Sequence, residues 1–363
     1  APRPGDAGGA REFPPPQAYP APRDSRGRAL PIEMCRHLCL ESDGWTPTTL
    51  AERCDAGTDP EVRLQAHYPR QSVPPVLEQR ACAGDHHRAG RHRDLREHST
   101  LDDIKTLDFS LINPISGPVY VDGAEPGDAL KVTLLEFQPS GWAWTAIVPG
   151  FGLLQSDFTE AALHMWKYEK DFQTPAMYGP GARVPLKPFC GTIGVAPKES
   201  GSFSTVPPYA QGGNMDIRDI NIGVELYLPV QVKGALFSIG DTHAAQGDGE
   251  VCGTAIESPM TVSARIELVK GANLKFPRYT TPGPVSRHLD GKGYFVTTGI
   301  GPDLMENAKN AVRGMIDLLG KERQMSAEHA YMLCSVCADM RISEIVDQPN
   351  WVVSCYFPRV VFE

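Results

Sequence analysis

Several short stretches of the chain alternate apolar and polar residues with a period of two, which is typical of strands that bury one face. The stretches 118–121 and 129–137 are the first of them, and the turn residues 123–128 between them predict a hairpin. The segment 142–154 is aromatic and glycine-rich, which favours a covered loop or an irregular strand. Further strands are predicted at 187–195, 225–239, 260–269, 294–298 and 351–362.

Two stretches late in the chain place apolar residues at spacings of three and four, which predicts helices. Pro302 stands at a first-turn position of the first helix, and Gly320 stands near its end. Ser326 is the predicted N-cap of the second helix, with His329 three residues further on. Many strands, then a helical hairpin, then a terminal strand predict an α+β protein, mostly β, that is dominated by antiparallel sheet.

Composition and charge exclude several classes of partner. The chain has 363 residues, a formal net charge of -9 and a pI near 5.6, which argues against nucleic acid or an anionic membrane as a partner. No apolar run approaches membrane-spanning length, and we find no secretory signal. Nine scattered cysteines suit a reducing compartment. We therefore expect a soluble, cytoplasmic protein that handles small or neutral ligands.

The first 66 residues lack the pattern of a folded domain. They are rich in Pro, Gly and Arg, and no lysine precedes Lys105. Neither the period of two that is typical of strands nor the period of 3.6 that is typical of helices persists for more than a few residues. We predict that residues 1–66 are disordered or out-of-frame sequence, because an excess of Arg, Pro, Gly and Ala without Lys is what a shifted frame in GC-rich DNA yields. The stretch 78–97 interleaves histidine and arginine and fits neither a strand nor a helix.

A polar, glycine-punctuated stretch that follows a predicted strand is the first candidate for chemistry. It crowds Asp241, His243, Gln246 and Glu250 together, and its glycines let the backbone bend. A carboxylate and an imidazole two residues apart at the mouth of a strand can turn toward one centre, which favours a metal or acid–base loop. The alternative is a solvated turn that collects polar residues because it is a turn.

A second polar cluster, at 212–218, is predicted to be a loop that returns to the sheet. In it Asp216 suits a metal ligand or a base, Asn214 a donor that recognises an amide, and Arg218 the partner that orients Asp216. The alternative is an Asx-turn with a surface ion pair. Glu257 opens the next strand, where it is either a third acid that points at the same centre or a solvent-facing carboxylate.

The cysteines offer a different chemistry. Cys190 and Cys252 each precede a glycine, which suits a thiol nucleophile on an exposed turn, but burial as a small apolar residue is the favoured alternative for both. Cys334 and Cys337 form a C-x-x-C at helical spacing inside the second predicted helix. That context predicts two buried core residues rather than a redox pair or half of a zinc site.

The motifs that contain these candidates resemble those of the acetamidase/formamidase family of small-amide hydrolases. The resemblance covers residues 98–363, which we expect to form the catalytic domain. Residues 67–97 resemble a degraded N-terminal part of the same hydrolase domain, with His67 in a fragment of the family's N-terminal histidine segment. The matching motifs, in the family's order, include SGPVYVDGAEPGD (116–128), WTAIVPGFGLL (144–154), PFCGTIGVAP (188–197), GGNMDIR (212–218), GDTHAAQGDGEVCGTAIE (240–257) and ISEIVDQPNWVVS (342–354).

The resemblance implies a fold and an activity. The implied fold is an antiparallel β-sandwich-like core with a C-terminal helical hairpin and an α/β portion, assembled as a homo-oligomer. The implied activity is hydrolysis of short aliphatic amides, such as formamide and acetamide, to carboxylate and ammonia. A divalent metal ion, commonly zinc, is implied in the pocket.

On this resemblance we assign roles to individual residues as a hypothesis. Asp216, Asp241 and His243, with His67 as a further candidate, are expected to hold an ion that lowers the pKa of bound water and polarises the amide carbonyl. Glu250 is the expected base and then acid for the departing ammonia, and Asp216 and Glu257 are further acid–base candidates. The expected substrate-binding residues are Asn214, Gln246, Trp144 and Phe151.

Two alternatives stay open at this point. One is an amidase without metal that uses Cys190 or Cys252 as its nucleophile. The other is a catalytically impaired β-sandwich binding protein of the same family.

Overall fold

Antiparallel strands form most of the fold in the computed structural model, which describes residues 76–78, 101–105, 113, 115–179 and 181–362. This confirms the predicted α+β class with mostly β structure. The strands are β1 (Val76–Glu78), β2 (Ile115–Val119), β3 (Ala129–Pro139), β4 (Trp142–Ile147), β5 (Ala162–Lys167), β6 (Ala176–Tyr178), β7 (Ala182–Val184), β8 (Phe189–Gly194), β9 (Ser202–Ser204), β10 (Pro208–Tyr209), β11 (Gly212–Asn214), β12 (Glu225–Pro229), β13 (Phe237–His243), β14 (Met260–Val269), β15 (Arg278–Thr280), β16 (Tyr294–Gly301), β17 (Asp339–Glu344) and β18 (Trp351–Pro358). The helices are α1 (Leu101–Lys105), α2 (Leu304–Arg323) and α3 (Ala327–Cys337), and 3-10 helices span Asp290–Lys292 and Arg359–Phe362.

Two sheets share the main core. The five-stranded sheet has the order β10-β11-β8-β13-β2, and the four-stranded sheet has the order β14-β3-β12-β15. Inward side chains of both sheets, such as Ile193 and Phe237 from the first and Val132 and Val262 from the second, belong to one buried apolar cluster. Because inward and outward positions alternate along each strand, the two inner faces can interdigitate. This is the expected sandwich-like core.

The predicted hairpin between residues 118–121 and 129–137 is wrong, because the two strands belong to different sheets. β2 pairs with β13, whereas β3 lies between β12 and β14. The carboxylate of Asp128 holds the connecting turn, since it accepts hydrogen bonds from the backbone N–H of Glu125 and of Gly271, both at 2.9 Å. The turn therefore leads the chain from one sheet to the other.

The C-terminal helices lie against a third sheet, of order β16-β18-β17. Ser326 is confirmed as the N-cap of α3, because its hydroxyl accepts a hydrogen bond from the N–H of His329 at 3.3 Å. The N-cap of α2 is Asp303, so Pro302 lies just outside the helix instead of in its first turn. β17 begins two residues after α3 ends, although the sequence pattern does not predict it. None of the helices in the described ranges is long and apolar enough to cross a membrane.

The interior of α3 contains Cys334 and Cys337. Both thiols are free and buried, as the helical spacing predicts. The C-x-x-C is therefore part of the core.

The predictions for residues 1–66 and 67–97 lie outside the described residues, apart from Val76–Glu78. That segment forms β1 and pairs with β9.

Candidate active site

The end of β13 carries the first two residues of the site. The sequence predicts that this strand ends at Ile239, but it continues to His243, so that Asp241 and His243 belong to the strand and not to the loop after it. Residues two apart on a strand project from the same face. The backbone at Asp241 is left-handed and departs from this alternation, yet both side chains reach the same neighbouring residue, Gly191.

Gly191, on the neighbouring strand β8, makes room for these side chains. A Cβ atom on Gly191 would lie 2.5 Å from Oδ1 of Asp216, 2.8 Å from Cε1 of His243 and 2.9 Å from Oδ2 of Asp241. The backbone N–H of Asp216 in turn donates to the carbonyl oxygen of Gly191 at 3.2 Å. Three chemically active side chains from two separate segments thus converge where this strand has no side chain of its own.

Two further carboxylates complete the cluster around His243. Its Nε2 lies 3.1 Å from Oε2 of Glu257 and 3.3 Å from Oδ1 of Asp241. Two groups of three residues each bring one ligand atom per residue to within 4.8 Å of one another. The first group is Asp216, His243 and Glu250, and the second is Asp241, His243 and Glu257. His243 is the member that both groups share, so it is the centre of the cluster.

Two polar atoms of the cluster are buried without a hydrogen-bond partner among the described residues. They are Oδ1 of Asp216 and Nε2 of His243. An unsatisfied buried polar atom destabilises a fold, commonly by about 1–3 kcal/mol. Carboxylate oxygen and imidazole nitrogen are ligands that divalent zinc takes in proteins. The donor set, the two unsatisfied atoms and the space at Gly191 therefore fit a divalent ion.

The backbone is strained at three of the carboxylates. Asp216, Asp241 and Glu250 have φ angles of 49°, 52° and 42°, in the left-handed region that side chains other than glycine seldom occupy. Such conformations persist only where the surrounding structure enforces them, and they concentrate at functional sites. Their coincidence in one cluster indicates that the fold holds these carboxylates in place for a purpose other than stability.

Burial and mutual repulsion shift the titration of the cluster. Burial is the main reason that the pKa of Asp216 rises from 3.8 to about 7, and attraction to His243 offsets part of that rise. Burial and then the charge of Asp216 raise the pKa of Glu250 well above its usual 4.5. Burial alone would lower the pKa of His243, but the charges of Glu257 and Asp241 outweigh it and raise that pKa well above 6.5. Without an added cation, the cluster therefore retains protons at neutral pH.

The two amide side chains predicted to bind substrate both contact protein groups. Asn214 accepts a hydrogen bond from Thr192 Oγ1 at 2.7 Å and donates to the carbonyl oxygen of Val206 at 3.0 Å. The amide of Gln246 lies between Nδ1 of His243, at 3.0 Å, and the carbonyl oxygen of Asp216, at 2.7 Å. Both residues are thus in the wall of the site.

Arg218 does not orient Asp216 as expected. Its guanidinium is buried and forms two hydrogen bonds with the carboxylate of Asp339, one of them at 2.8 Å, and it lies 3.3 Å from Asp248. Asp339 also accepts from the backbone N–H of Asp248 at 3.3 Å. The carboxylate of Asp339 is the stronger partner because a buried guanidinium favours a bidentate carboxylate. The pair attaches the start of β17 to the loop that carries Gln246 and Glu250.

The aromatic residues predicted for the pocket lie in a small apolar cluster of their own. Trp144 is buried there with Phe151 packed against it. Trp144 and Glu257 exchange two backbone hydrogen bonds, and Glu257 is also bridged to His243. Side chains directly opposite each other in an antiparallel pair project to the same face, so the backbone directs Trp144, Glu257 and His243 to one side. His67 lies outside the described residues.

Sequence reasoning missed Gly191, Thr192 and Asp339. Gly191 and Thr192 stand in the motif PFCGTIGVAP. The motif indicates the family, but it does not indicate that Gly191 makes room for the site or that Thr192 lines it. Asp339 gives no signal in the sequence, because its partner Arg218 is 121 residues away in the chain.

The fold and the site define a class: a β-rich protein with a buried centre of carboxylates and one imidazole. The family model described as the Acetamidase/Formamidase family matches residues 86–201 and 199–363. A formamidase of Methylophilus methylotrophus is 26% identical over 332 residues, which cover 73% of this chain and 80% of that protein. An acetamidase of Mycolicibacterium smegmatis is 28% identical over 245 residues, which cover 50% of this chain and 60% of that protein.

A solved structure agrees with these comparisons. The gamma lactamase from Delftia acidovorans matches with a TM-score of 0.66 and 26% identity, over 73% of this chain and 80% of that one. The chain belongs to the Acetamidase/Formamidase family. Membership confirms the predicted class of enzyme, a hydrolase that acts on linear amides.

The raised pKa of Asp216 predicts how stability changes with pH in chelator-treated protein. A carboxyl whose pKa is higher in the folded than in the unfolded chain destabilises the fold once the pH exceeds the unfolded value, because its charge must then be buried. That penalty should grow between pH 3.8 and about 7, the two values of this group. Asp216→Asn removes the charge and tolerates the left-handed backbone, so it should raise the melting temperature by a few degrees above pH 7 but not near pH 4. A difference in melting temperature between Asp216→Asn and wild type that does not vary with pH would contradict this prediction.

The buried pair of Arg218 and Asp339 predicts a large loss of stability when one partner is removed. Asp339→Asn keeps the shape but leaves the guanidinium without its counter-charge, so the free energy of unfolding should fall by about 3–5 kcal/mol in denaturant titrations. Asp317→Asn, at an exposed position of α2, is the matched control and should change it by less than about 0.5 kcal/mol. Equal effects of the two substitutions would show that the pair does not stabilise the fold.

Proposed function

We propose that this chain hydrolyses short aliphatic amides, formamide and acetamide, to the carboxylate and ammonia, with water as the nucleophile and a divalent ion, zinc, held in the site. The observation that carries the proposal is the convergence of Asp216, Asp241 and His243 in front of Gly191. The family and the names of the relatives support the reaction. Two groups of ligand atoms that share His243, one with Asp216 and Glu250 and the other with Asp241 and Glu257, support an ion.

The residues that would hold the ion are Asp216, Asp241 and His243, with His67 as a candidate from sequence only. When bound, a divalent cation supplies a Lewis acid that polarises a carbonyl and makes water more acidic. The residues of the chain must then supply the proton transfers. Resonance makes an amide carbonyl a poor electrophile and its nitrogen a poor leaving group, so proton transfers must assist both bond formation and bond cleavage.

Glu250 is the proposed base and acid. It accepts a proton from the attacking water as the new C–O bond forms, and it delivers that proton to the amide nitrogen as the C–N bond breaks, which releases ammonia. A pKa raised well above 4.5 suits a carboxylate that must accept and then release a proton near neutral pH. Glu257, within 3.1 Å of Nε2 of His243, is the second candidate for this task.

The acyl group would face the apolar cluster of Trp144 and Phe151. Trp144 shares a face with Glu257 and His243, and its indole ring is buried. We propose that this ring restricts the acyl group to a short chain. Amides with short acyl groups are therefore the proposed substrates.

Burial disfavours the thiol alternative from sequence. It raises the pKa of the Cys252 thiol to about 11 and that of Cys190 even further, and both sulfur atoms are inside the core. Neither is a thiolate at neutral pH, so neither suits a nucleophile. The impaired binding protein would belong to the same family, so the ammonia-release assay distinguishes it from an enzyme. The cytoplasmic location and the exclusion of nucleic acid as a partner stay predictions from composition.

We also propose that the chain forms homo-oligomers, as the family resemblance implies, through the outer face of the sheet β16-β18-β17. Val296 and Ile300 both lie on the exposed side of β16, and Ile300 is 64% exposed. Exposed apolar residues that cluster on one sheet are typical of a protein interface, and a second copy of the chain is the proposed occupant.

The ammonia-release assay tests the activity. Wild-type protein should release ammonia from formamide and acetamide, and Glu250→Gln should reduce the turnover number by about 10²–10⁴-fold, because general acid–base catalysis contributes that much. Glu322→Gln, an exposed glutamate at the end of α2, is the matched control and should act as wild type. Asp241→Asn and His243→Ala should lose zinc content together with rate.

Two outcomes of that assay would contradict the proposal. Full activity after chelation, with no metal detected in the sample, would exclude the ion. Loss of activity to a thiol-alkylating reagent but not to a chelator would favour the cysteine alternative.

Analytical ultracentrifugation tests the assembly. Wild-type protein should sediment as an oligomer, and Ile300→Lys should shift it toward the monomer because a buried charge destabilises an apolar contact. Ile222→Lys, at a position that is 47% exposed but outside this sheet, should leave the assembly unchanged. A monomeric wild type, or an oligomer indifferent to Ile300→Lys, would contradict the proposed interface.

A further inference from the structure

The side-chain amide of Gln246 lies between Asp216 and His243. Its contacts with these two residues determine which end of the amide is the oxygen and which is the NH₂ group. One end lies 2.7 Å from the carbonyl oxygen of Asp216, and the other lies 3.0 Å from Nδ1 of His243. A carbonyl oxygen only accepts hydrogen bonds, so the end that faces Asp216 must be the NH₂ group. The reverse orientation would place two acceptors 2.7 Å apart. Oε1 of Gln246 therefore faces His243.

The orientation of Gln246 determines the proton on the imidazole. An amide oxygen only accepts, so Nδ1 of His243 must carry the hydrogen in the contact with Oε1. In a neutral imidazole only one nitrogen is protonated, which leaves the lone pair on Nε2. Nε2 is the nitrogen that is buried without a hydrogen-bond partner in the described part of the chain and that faces Asp241 and Glu257.

The backbone around Gln246 is held from several sides. Its carbonyl oxygen contacts the buried guanidinium of Arg218 at 3.4 Å. The N–H of Gly247 donates to Ser335 of α3 at 2.8 Å, and the carbonyl oxygen of Ala245 accepts from the N–H of Ile256 at 2.9 Å. The side chain itself is only 4% exposed. These contacts hold Gln246 in one position in the wall of the site.

We propose that Gln246 is a positioning residue, which fixes the Nδ1–H tautomer of His243 and so presents the lone pair of Nε2 to the ion. This inference rests on the ion site of the proposed function, and it gives Gln246 a different task from the substrate contact expected from sequence. Partners of this kind behind a ligating histidine raise metal affinity by orienting the ring and by selecting its tautomer. A histidine free to adopt either tautomer would offer the lone pair of Nε2 for only part of the time.

The first measurement is nitrogen-15 magnetic resonance of histidine-labelled, zinc-loaded wild-type protein, with His243 assigned by comparison with His243→Ala. The protein is loaded because, without an ion, the carboxylates of Asp241 and Glu257 can hold a proton on Nε2 themselves. We expect a proton on Nδ1 of His243 and none on Nε2. A proton on Nε2 in the loaded protein would overturn the proposal, and this result needs no variant of Gln246.

The second measurement is calorimetric titration of chelator-treated protein with zinc(II) alone. Gln246→Met removes both hydrogen bonds at similar volume and should weaken zinc binding by about 10–100-fold. Gln246→Glu keeps an acceptor for Nδ1–H but replaces the donor to the carbonyl oxygen of Asp216 with a second acceptor, so it should retain the tautomer in the nitrogen-15 spectrum although its zinc affinity falls. Gln211→Met is the matched control, because Gln211 is also 4% exposed, and it should bind zinc as wild type does.

These results separate the inference from the proposed function. Wild-type affinity in Gln246→Met, with unchanged nitrogen shifts of His243, would overturn the positioning role while the ion site stands. Failure of the wild type itself to bind zinc would overturn the ion site and this inference with it.

Discussion

The repulsion among several carboxylates around one buried imidazole is the constraint on which the rest of this structure depends. Asp216, Asp241, Glu250 and Glu257 are all within hydrogen-bonding or ligand distance of His243 or of a neighbour in the cluster. Burial is the main cause of the raised pKa values of Asp216 and Glu250, and repulsion from the neighbouring carboxylates raises both pKa values further. A divalent cation removes both the repulsion and the two unsatisfied polar atoms. The cluster destabilises the fold when no cation is present, and a cation would give its polar atoms a partner. These properties fit an ion site better than a structural salt bridge.

The scaffold explains how such a cluster can persist. β13 brings Asp241 and His243 to Gly191 on β8, which leaves the space in front of them. The loop that carries Gln246 and Glu250 is held by Arg218 and Asp339, which are buried as a bidentate pair at the start of β17. Left-handed backbone at three carboxylates shows that packing, and not local preference, determines where these side chains point. The two sheets and the C-terminal helices thus support a strained and highly charged centre.

Local patterns predict much of this fold, and the limits of the prediction have physical reasons. The strand at 260–269 and the cap of α3 by Ser326 follow from period-two alternation and from a local hydrogen bond, so sequence is sufficient for them. The hairpin at 118–137 failed because strand pairing is decided by distant partners, here β13 and β14, and not by the turn. In the site, the family resemblance led us to expect Asp216, Asp241 and His243 around one centre, and their side chains do come together at Gly191, a residue for which the sequence gives no such signal. The partner of Arg218 was predicted wrongly because Asp339 becomes its neighbour only after folding.

Anomalous X-ray scattering tests most directly whether Asp216, Asp241 and His243 hold one divalent ion in front of Gly191. Crystals of the active protein, with data collected on both sides of the zinc absorption edge, should show one anomalous peak per chain in contact with these three side chains. Active crystals with no such peak at the zinc edge, or at the edge of any other divalent metal found in the sample, would contradict the account.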